Sequence, residues 1–377
     1  MKKGSEVILN GTILIGDDLE IVEGNIIVEN GTIRKIEEST TAGSDISDII
    51  IPSFINAHIH IGDSFAKDIL FRSLREAVTP PDGLKHKLLS ITPEHTVLNS
   101  MKESIIDMVK CGTGLFMDFR EGGMNGVCLL KKAIKSVNFF NHNPIGVFIL
   151  GRPIMDEREI DEILKKADAI GMSSTNDYDL EYLMRCIENT KKLGRKFAIH
   201  AGELDGTDID PAIGLGADML IHLTHADKRQ LKRIKDAGIY VVVCPRSNFV
   251  TGVGMPPIKD MIDLGILPMV GTDNVMFNSP NIFSELEFIS KIFCRDSDKD
   301  VLKMATSNAN HLFNDYGVIS EGKPANVVIL NGRSTNLYRS KNIYRSIVRR
   351  ARPDDIKMIM HSDTVLKYNH QLEPLLG

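Results

Sequence analysis

The sequence predicts an α/β fold: a (β/α)8 barrel of the TIM type, with a small β-sandwich beside it built from both chain ends. Three observations carry this reading. Between residues 50 and 313, eight apolar runs of strand type alternate with helical stretches. Four of those runs end in a histidine or an aspartate, as expected where a parallel barrel carries chemistry on its C-terminal rim. The two ends of the chain read instead as short β segments punctuated by turn residues.

The N-terminal segments fall at residues 6–9, 12–15, 20–28 and 32–36, with Gly16-Asp17 and Asn30-Gly31 as hairpin signals between them. Such a set cannot bury a core alone, and segments at 322–330 and 364–368 are its expected partners. The division expected is therefore a composite unit of residues 1–51 and 320–377 around a barrel of residues 52–319. At 377 residues the chain has room for a barrel of ~250 residues plus that smaller unit.

The first barrel strand is the apolar run 50–60, followed by a connection to Ile91 that contains Pro80-Pro81-Asp82-Gly83. That connection is too long for an idle turn and belongs on the functional face. Thr92-Pro93-Glu94 starts a helix with a cap and a proline in its first turn, running to about Gly112. The other seven strands are expected at 114–119, 145–150, 168–172, 196–200, 219–222, 239–244 and 267–271. Helices are expected at 126–137, 157–167, 179–193, 227–237, 257–264 and 282–294, several closed by a glycine such as Gly194, Gly238 or Gly265. A last helix, 301–313, leads back to the sandwich.

Composition narrows the function. With 42% hydrophobic and 25% charged residues the chain is an ordinary globular one. Its net charge of −5, with Lys and Arg scattered, argues against nucleic acid as the main ligand. The basic run 345–352 reads as a solvated or interface patch. Five cysteines (Cys111, Cys128, Cys186, Cys244, Cys294) without a C-x-x-C spacing give neither a disulfide framework nor a thiolate zinc site, and a cytoplasmic setting is expected. No apolar run is long enough to span a membrane, and the N-terminal one is broken by Asn10, Gly11 and Gly16.

The chemistry concentrates at strand ends. Residues i and i+2 of a strand share a face, so His58 and His60 aim two imidazoles at one point. Pro52-Ser53-Phe54-Ile55-Asn56-Ala57-His58-Ile59-His60, His200-Ala201-Gly202-Glu203, His222 and Gly271-Thr272-Asp273 follow in that order over nearly the whole chain. In these motifs the chain resembles the amidohydrolase superfamily. The resemblance is to its mononuclear-metal branch: the cytosine, guanine, adenosine and S-adenosylhomocysteine deaminases and the triazine chlorohydrolases.

The resemblance implies that His58, His60, His200 and Asp273 hold one divalent metal ion. Three nitrogens and one carboxylate suit zinc or ferrous iron, and water on such a cation ionises near neutral pH. It implies that Glu203 protonates a ring nitrogen of the substrate. His222 and His225 compete for the histidine that, with Asp273, activates the water; His222 is preferred because it ends a strand directly. Members with two metals carry a lysine at the end of the fourth strand, where this chain has Met172-Ser173-Ser174, so one metal is expected.

Substrate contacts are sought at other strand ends, in Arg120 and Glu121, Arg152, Ser173 and Ser174, with His225 also a candidate. Arg72, Arg75, Lys85 and His86 of the long first connection are further candidates. The expected function is hydrolytic deamination of an amino-substituted nitrogen heterocycle, a nucleobase, nucleoside or related ring, by metal-bound hydroxide. Cyclic-amide or chloro-heterocycle hydrolysis on the same site is the alternative, and a metal-binding scaffold without turnover a third reading. The expected partner is that small molecule, with no nucleic acid and no membrane; a homo-oligomer is compatible with the sequence.

Overall fold

The computed structural model describes residues 6–39, 48–137, 145–154, 157–293 and 297–367. The chain opens with a meander of β1 (Glu6–Ile15), β2 (Glu20–Glu29) and β3 (Thr32–Glu38). β1 and β2 pair antiparallel from Glu6 opposite Glu29 to Ile15 opposite Glu20. Asn30 and Gly31 join β2 to β3 with φ of 50° and 78°. Two positive φ values in succession suit the right-handed twist of a tight hairpin, which is why this dipeptide was legible as a turn. β4 (Ile49–Pro52) then lies parallel to β1.

The apolar run 50–60, expected as one strand, is two. The amide of Ser53 donates to Asn326 O, whereas that of Phe54 donates to Gly112 O, both at 2.9 Å, so the chain leaves the terminal sheet and enters the barrel between these residues. All eleven residues of the run are buried, so hydrophobicity could not mark the crossing.

The barrel follows as β5 (Phe54–His60), β6 (Thr113–Arg120), β7 (Gly146–Gly151), β8 (Ala169–Met172), β9 (Lys196–Ala201), β10 (Met219–His222) and β11 (Tyr240–Val243). Two short pieces, β12 (Met269–Val270) and β13 (Asp273–Asn274), complete it. Each strand is parallel to its neighbour in chain order. β12 pairs with β11 and β13 pairs with β5, so one interrupted eighth strand closes the ring. At the interruption a Cβ on Gly271 would stand 2.5 Å from the Cβ and the carbonyl oxygen of His58. Only glycine passes there. Asn56 locks the closure with two hydrogen bonds, Nδ2 donating to Thr272 Oγ1 at 2.7 Å and Oδ1 accepting from Thr272 N at 3.0 Å.

Side chains alternate across the barrel wall as strand geometry requires. Ile55, Ala57, Met117, Phe119, Ala198, Ile221 and Val242 fill the interior. Phe54, Phe116, Phe197, Ile199, Val241 and Val243 point outward into the larger core shared with the helices.

The expected helices stand within a few residues of their places, among them Gly123–Ser136, Leu180–Lys192, Lys228–Asp236 and Ile282–Phe293. The last one differs: Asp298–Met304 is helical, and the chain then breaks at Thr306 (φ −138°, ψ −102°) into a single 3-10 turn, Ser307–Ala309. Helices Leu74–Val78 and Leu84–Ile91 build the long connection after β5.

The C-terminal strands β14 (Val327–Leu330), β15 (Ile356–His361) and β16 (Thr364–Lys367) complete the terminal sheet in the order β16-β15-β14-β4-β1-β2-β3. The sheet curls back on itself: Ile33 N donates to Lys323 O at 2.9 Å and Ala325 N to Gly31 O at 2.8 Å. Ile13, Ile26, Val28, Ile50, Val327 and Met360 are enclosed by the curl.

The basic run 345–352 is an internal interface. Arg345 and Arg349, on helix Ile343–Arg349, place Nε 2.8 and 3.1 Å from the buried carboxylate of Asp298 on the barrel side. Cys111, Cys128, Cys186 and Cys244 are free thiols, and Cys294 lies outside the described residues. Among the described residues no helix is long and apolar enough to cross a membrane.

Candidate metal centre and active site

The register of the closing strand builds the site. Asp273 of β13 pairs with Ile59, the residue between the two histidines of β5, so its carboxylate falls between their imidazoles. Oδ1 lies 3.2 Å from His58 Nε2 and 3.5 Å from His60 Nε2. His200, near the end of β9, brings its Nε2 to 3.2 Å from His58 Nε2. His222 ends the adjacent β10, its ring centroid 5.3 Å from that of His200.

Asp273 and His222 both adopt left-handed backbone, with φ of 60° and 78°. That conformation costs a non-glycine residue ~1–3 kcal/mol, and Asp and His are among the types that tolerate it best. Both strained residues stand at the rim where the side chains converge.

Hydrogen bonds decide which nitrogens carry protons. His200 Nδ1 donates to Met172 O at 2.7 Å, and His60 Nδ1 faces Phe119 O at 2.9 Å and Glu121 Oε1 at 2.7 Å. Their Nε2 lone pairs are therefore left facing the centre. Burial pushes His58 down to about 4, His60 to about 3 and His200 well below the usual imidazole range. Burial would raise Asp273, but the His58 hydrogen bond and the surrounding imidazoles outweigh it and hold the carboxyl well below its ordinary value.

Neutral imidazoles converging on an ionised carboxylate make a donor set that calls for a cation. The donor atoms of His58, His60 and His200 lie within 4.8 Å of one another, and so do those of His58, His222 and Asp273. Three nitrogens and a carboxylate oxygen fit one divalent ion with a position to spare for water.

A pH prediction follows. Without metal, the folded values of these histidines lie below the unfolded value near 6.5, so the unfolded chain takes up protons first. Stability is full above pH 6.5 and is lost as the pH falls toward 4. Melting temperatures of chelator-stripped protein should drop steeply between pH 7 and pH 5; zinc keeps the folded imidazoles unprotonated, so the zinc-loaded protein should melt higher but fall at least as steeply. A melting temperature of the stripped protein that stays flat from pH 7 to pH 5 would contradict the neutral-cluster assignment.

Next to the centre, Asn248 Nδ2 donates to Thr224 Oγ1 at 2.7 Å, which turns Oδ1 toward His222 Nδ1 at 2.9 Å. His222 Nδ1 thus donates to Asn248, and its Nε2 lies 3.5 Å from Glu203 Oε2. Ser247 Oγ donates to Asp273 Oδ2. Burial raises Glu203 to about 7, so at neutral pH it can hold a proton to give. These groups open on a cavity of about 430 Å³, whose wall includes His60, His200, Glu203, His222 and Asp273.

The amidohydrolase family model matches residues 49–366. The chain belongs to the amidohydrolase family.

A protein of Methanothermobacter thermautotrophicus named "putative aminohydrolase" is 34% identical over 381 residues, covering 91% of this chain and 97% of the relative. The 5-methylthioadenosine/S-adenosylhomocysteine deaminase of Caldicellulosiruptor saccharolyticus is 26% identical, covering 91% and 88%. The crystal structure of a zinc-bound adenosine deaminase from Xanthomonas campestris superposes with a TM-score of 0.79 at 15% identity, covering 95% of this chain and 92% of that one. That likeness is one of fold.

In this amidohydrolase the four expected ligands stand together, as do Glu203 and His222. His225 is exposed and outside the cavity wall. Arg152 and Ser173 line the cavity, and so do Arg75, Lys85 and Ser174. Arg120 needs correction: its guanidinium does not reach the cavity. It is buried beneath Gly62, where a Cβ would stand 1.8 Å from Nη2, and it pairs with Glu121 at 2.7 Å. A strand-end arginine looks alike in sequence whether it faces substrate or a buried acid. Glu121 likewise lies behind His60 rather than in the cavity. Arg72 and His86 are off the wall, His86 Nε2 being 3.1 Å from Val78 O.

The segment Cys244-Pro245-Arg246-Ser247-Asn248 follows β11 at the rim. It supplies the two residues that orient Asp273 and His222. Asp63, and the part Asn56 plays within the first motif, have no sequence signal, since a lone acid or amide in an apolar run says nothing of its partner.

Proposed function

We propose that this amidohydrolase deaminates an amino-substituted nitrogen heterocycle, of the nucleobase or nucleoside type, with one zinc or ferrous ion. The observation that carries the reading is Glu203: a carboxyl raised to about 7, opening on the cavity 3.5 Å from His222 Nε2, beside His58, His60, His200 and Asp273. The deaminase relatives support the same reaction class.

His58, His60, His200 and Asp273 would hold the cation, which when bound lowers the pKa of a water and so makes it nucleophilic at neutral pH. Asp273, steadied by Ser247, and His222, steadied by Asn248, orient that water and take its proton at Oδ and Nε2. Glu203 gives its proton to the ring nitrogen next to the carbon under attack. The same carboxylate, recharged from the attacking water, can then protonate the departing amine. Ammonia leaves, and the ring keeps an oxygen in its place.

The cavity supports a small-molecule partner, and Arg75, Lys85 and Arg152 stand in its wall among several acids. Arg152 is buried, and the one hydrogen bond of its guanidinium among the described residues is a long one, Nε to Gly171 O at 3.5 Å. We assign it to substrate. Arg152→Met should raise KM on the order of tenfold or more, the worth of a charged hydrogen bond, with a smaller change in kcat. An unchanged KM would remove Arg152 from the site. The free thiols support a reducing, cytoplasmic setting.

The test is product analysis on adenine, guanine, cytosine, their nucleosides and 5′-thio-substituted adenosines. One ammonia per ring consumed is expected. A new carboxylate without ammonia would replace deamination by cyclic-amide hydrolysis.

A further inference from the structure

Lys85 is a buried ammonium that the proposed chemistry does not use. It belongs to helix Leu84–Ile91 and is 3% exposed. Its Nζ pairs with Glu121 Oε1 and stands 4.0 Å from Asp63 Oδ2. Each carboxylate leads to an element that bears a cation ligand. Glu121 Oε1 is the oxygen 2.7 Å from His60 Nδ1. Asp63 accepts from Asn274 Nδ2 at 2.6 Å and from Met276 N at 3.1 Å, just beyond Asp273.

The same stretch of chain walls the cavity through Leu74, Arg75, Val78, Thr79 and Pro80. Taking an ammonium out of water costs several kcal/mol, so a lysine is a poor choice for packing alone. Here its charge joins the wall of the cavity to the back of the metal centre. Ligating histidines are commonly held by a carboxylate on their other nitrogen, and the carboxylate that faces His60 is itself held by Lys85 from the wall and by Arg120 from β6.

We propose that Lys85 is a positioning residue that latches residues 74–91 onto the site and, through Glu121, holds His60 in its ligating orientation. Seating of this wall and binding of the cation then favour one another, since coupling between two sites is reciprocal. The proposal rests on the reading that His58, His60, His200 and Asp273 hold a cation.

The test is amide hydrogen exchange across 74–91 in zinc-loaded and chelator-stripped full-length protein, with the rate of zinc release to a chelator measured alongside. In the wild type, stripping zinc should speed exchange in this stretch. Lys85→Met should release zinc roughly 10–100-fold faster, the usual effect of losing support behind a ligand, and should show the same exchange with or without zinc. Glu121→Gln should do likewise, and it carries the test if Lys85→Met does not fold. The double variant should release zinc no faster than the worse single one.

Exchange in the wild type that ignores zinc would overturn the latch. So would variants that melt earlier but release zinc at the wild-type rate, which is the signature of a merely structural lysine. Failure of any form to bind zinc would overturn the metal reading and the latch together. Zinc-responsive exchange without ammonia release would leave the latch standing and refute the deaminase.

Discussion

His200→Ala is expected to weaken metal binding strongly and to bring ammonia release down toward the uncatalysed rate. His200 supplies an Nε2 lone pair whose direction is fixed by the 2.7 Å hydrogen bond from Nδ1 to Met172 O. Removing it leaves two histidines and Asp273, which can still hold an ion but without the ligand that β9 contributes, so the ion is bound more weakly and displaced from Glu203 and His222. Without the cation, water returns from a pKa of about 7 to its ordinary value near 15.7, so a loss of several orders of magnitude is expected. The checks are metal content by elemental analysis and turnover on the best substrate. The backbone should survive, because β9 is held between β8 and β10 by main-chain hydrogen bonds that alanine keeps. A variant with full metal content and measurable turnover would remove His200 from the ligand set.

Glu203→Gln is expected to separate chemistry from metal binding. The amide keeps the size of the side chain but has no proton to give at a carboxyl, and positioned acids and bases are worth about 10²–10⁴ in rate. kcat should fall by that factor while one equivalent of metal is retained and KM changes little. Glu203 carries no ligand atom within the clusters that could hold a cation, which is why the metal should stay. Loss of metal in this variant would mean that Glu203 is a ligand. Unchanged kcat would leave the ring nitrogen without its acid and return the site to the chloride-displacement or amide-opening readings.

The fold was legible because the signals that specify it are local. Apolar runs of strand length, helices closed by Gly194, Gly238 or Gly265, and the Asn30-Gly31 turn each announce their element over a few residues. The candidate site was legible because His58-Ile59-His60 states its own geometry and His200, His222 and Asp273 end apolar runs. What was hidden depended on pairing across the sequence. The crossing at Ser53 is set by partners at Asn326 and Gly112, far away in the chain. Arg120 read as a substrate contact because nothing nearby shows that Gly62 leaves room for its guanidinium. Asn248, 26 residues from His222, gave no sign that its amide holds that ring.

The most direct test of the account is a metal titration read as ammonia release. Chelator-stripped protein would be titrated with zinc and, anaerobically, with ferrous iron, using the ring that gives the fastest turnover in product analysis. The account predicts that activity rises linearly and breaks at one equivalent, with the His200→Ala protein silent throughout. A break at two equivalents, or ammonia release that does not depend on metal, would contradict a single cation held by His58, His60, His200 and Asp273.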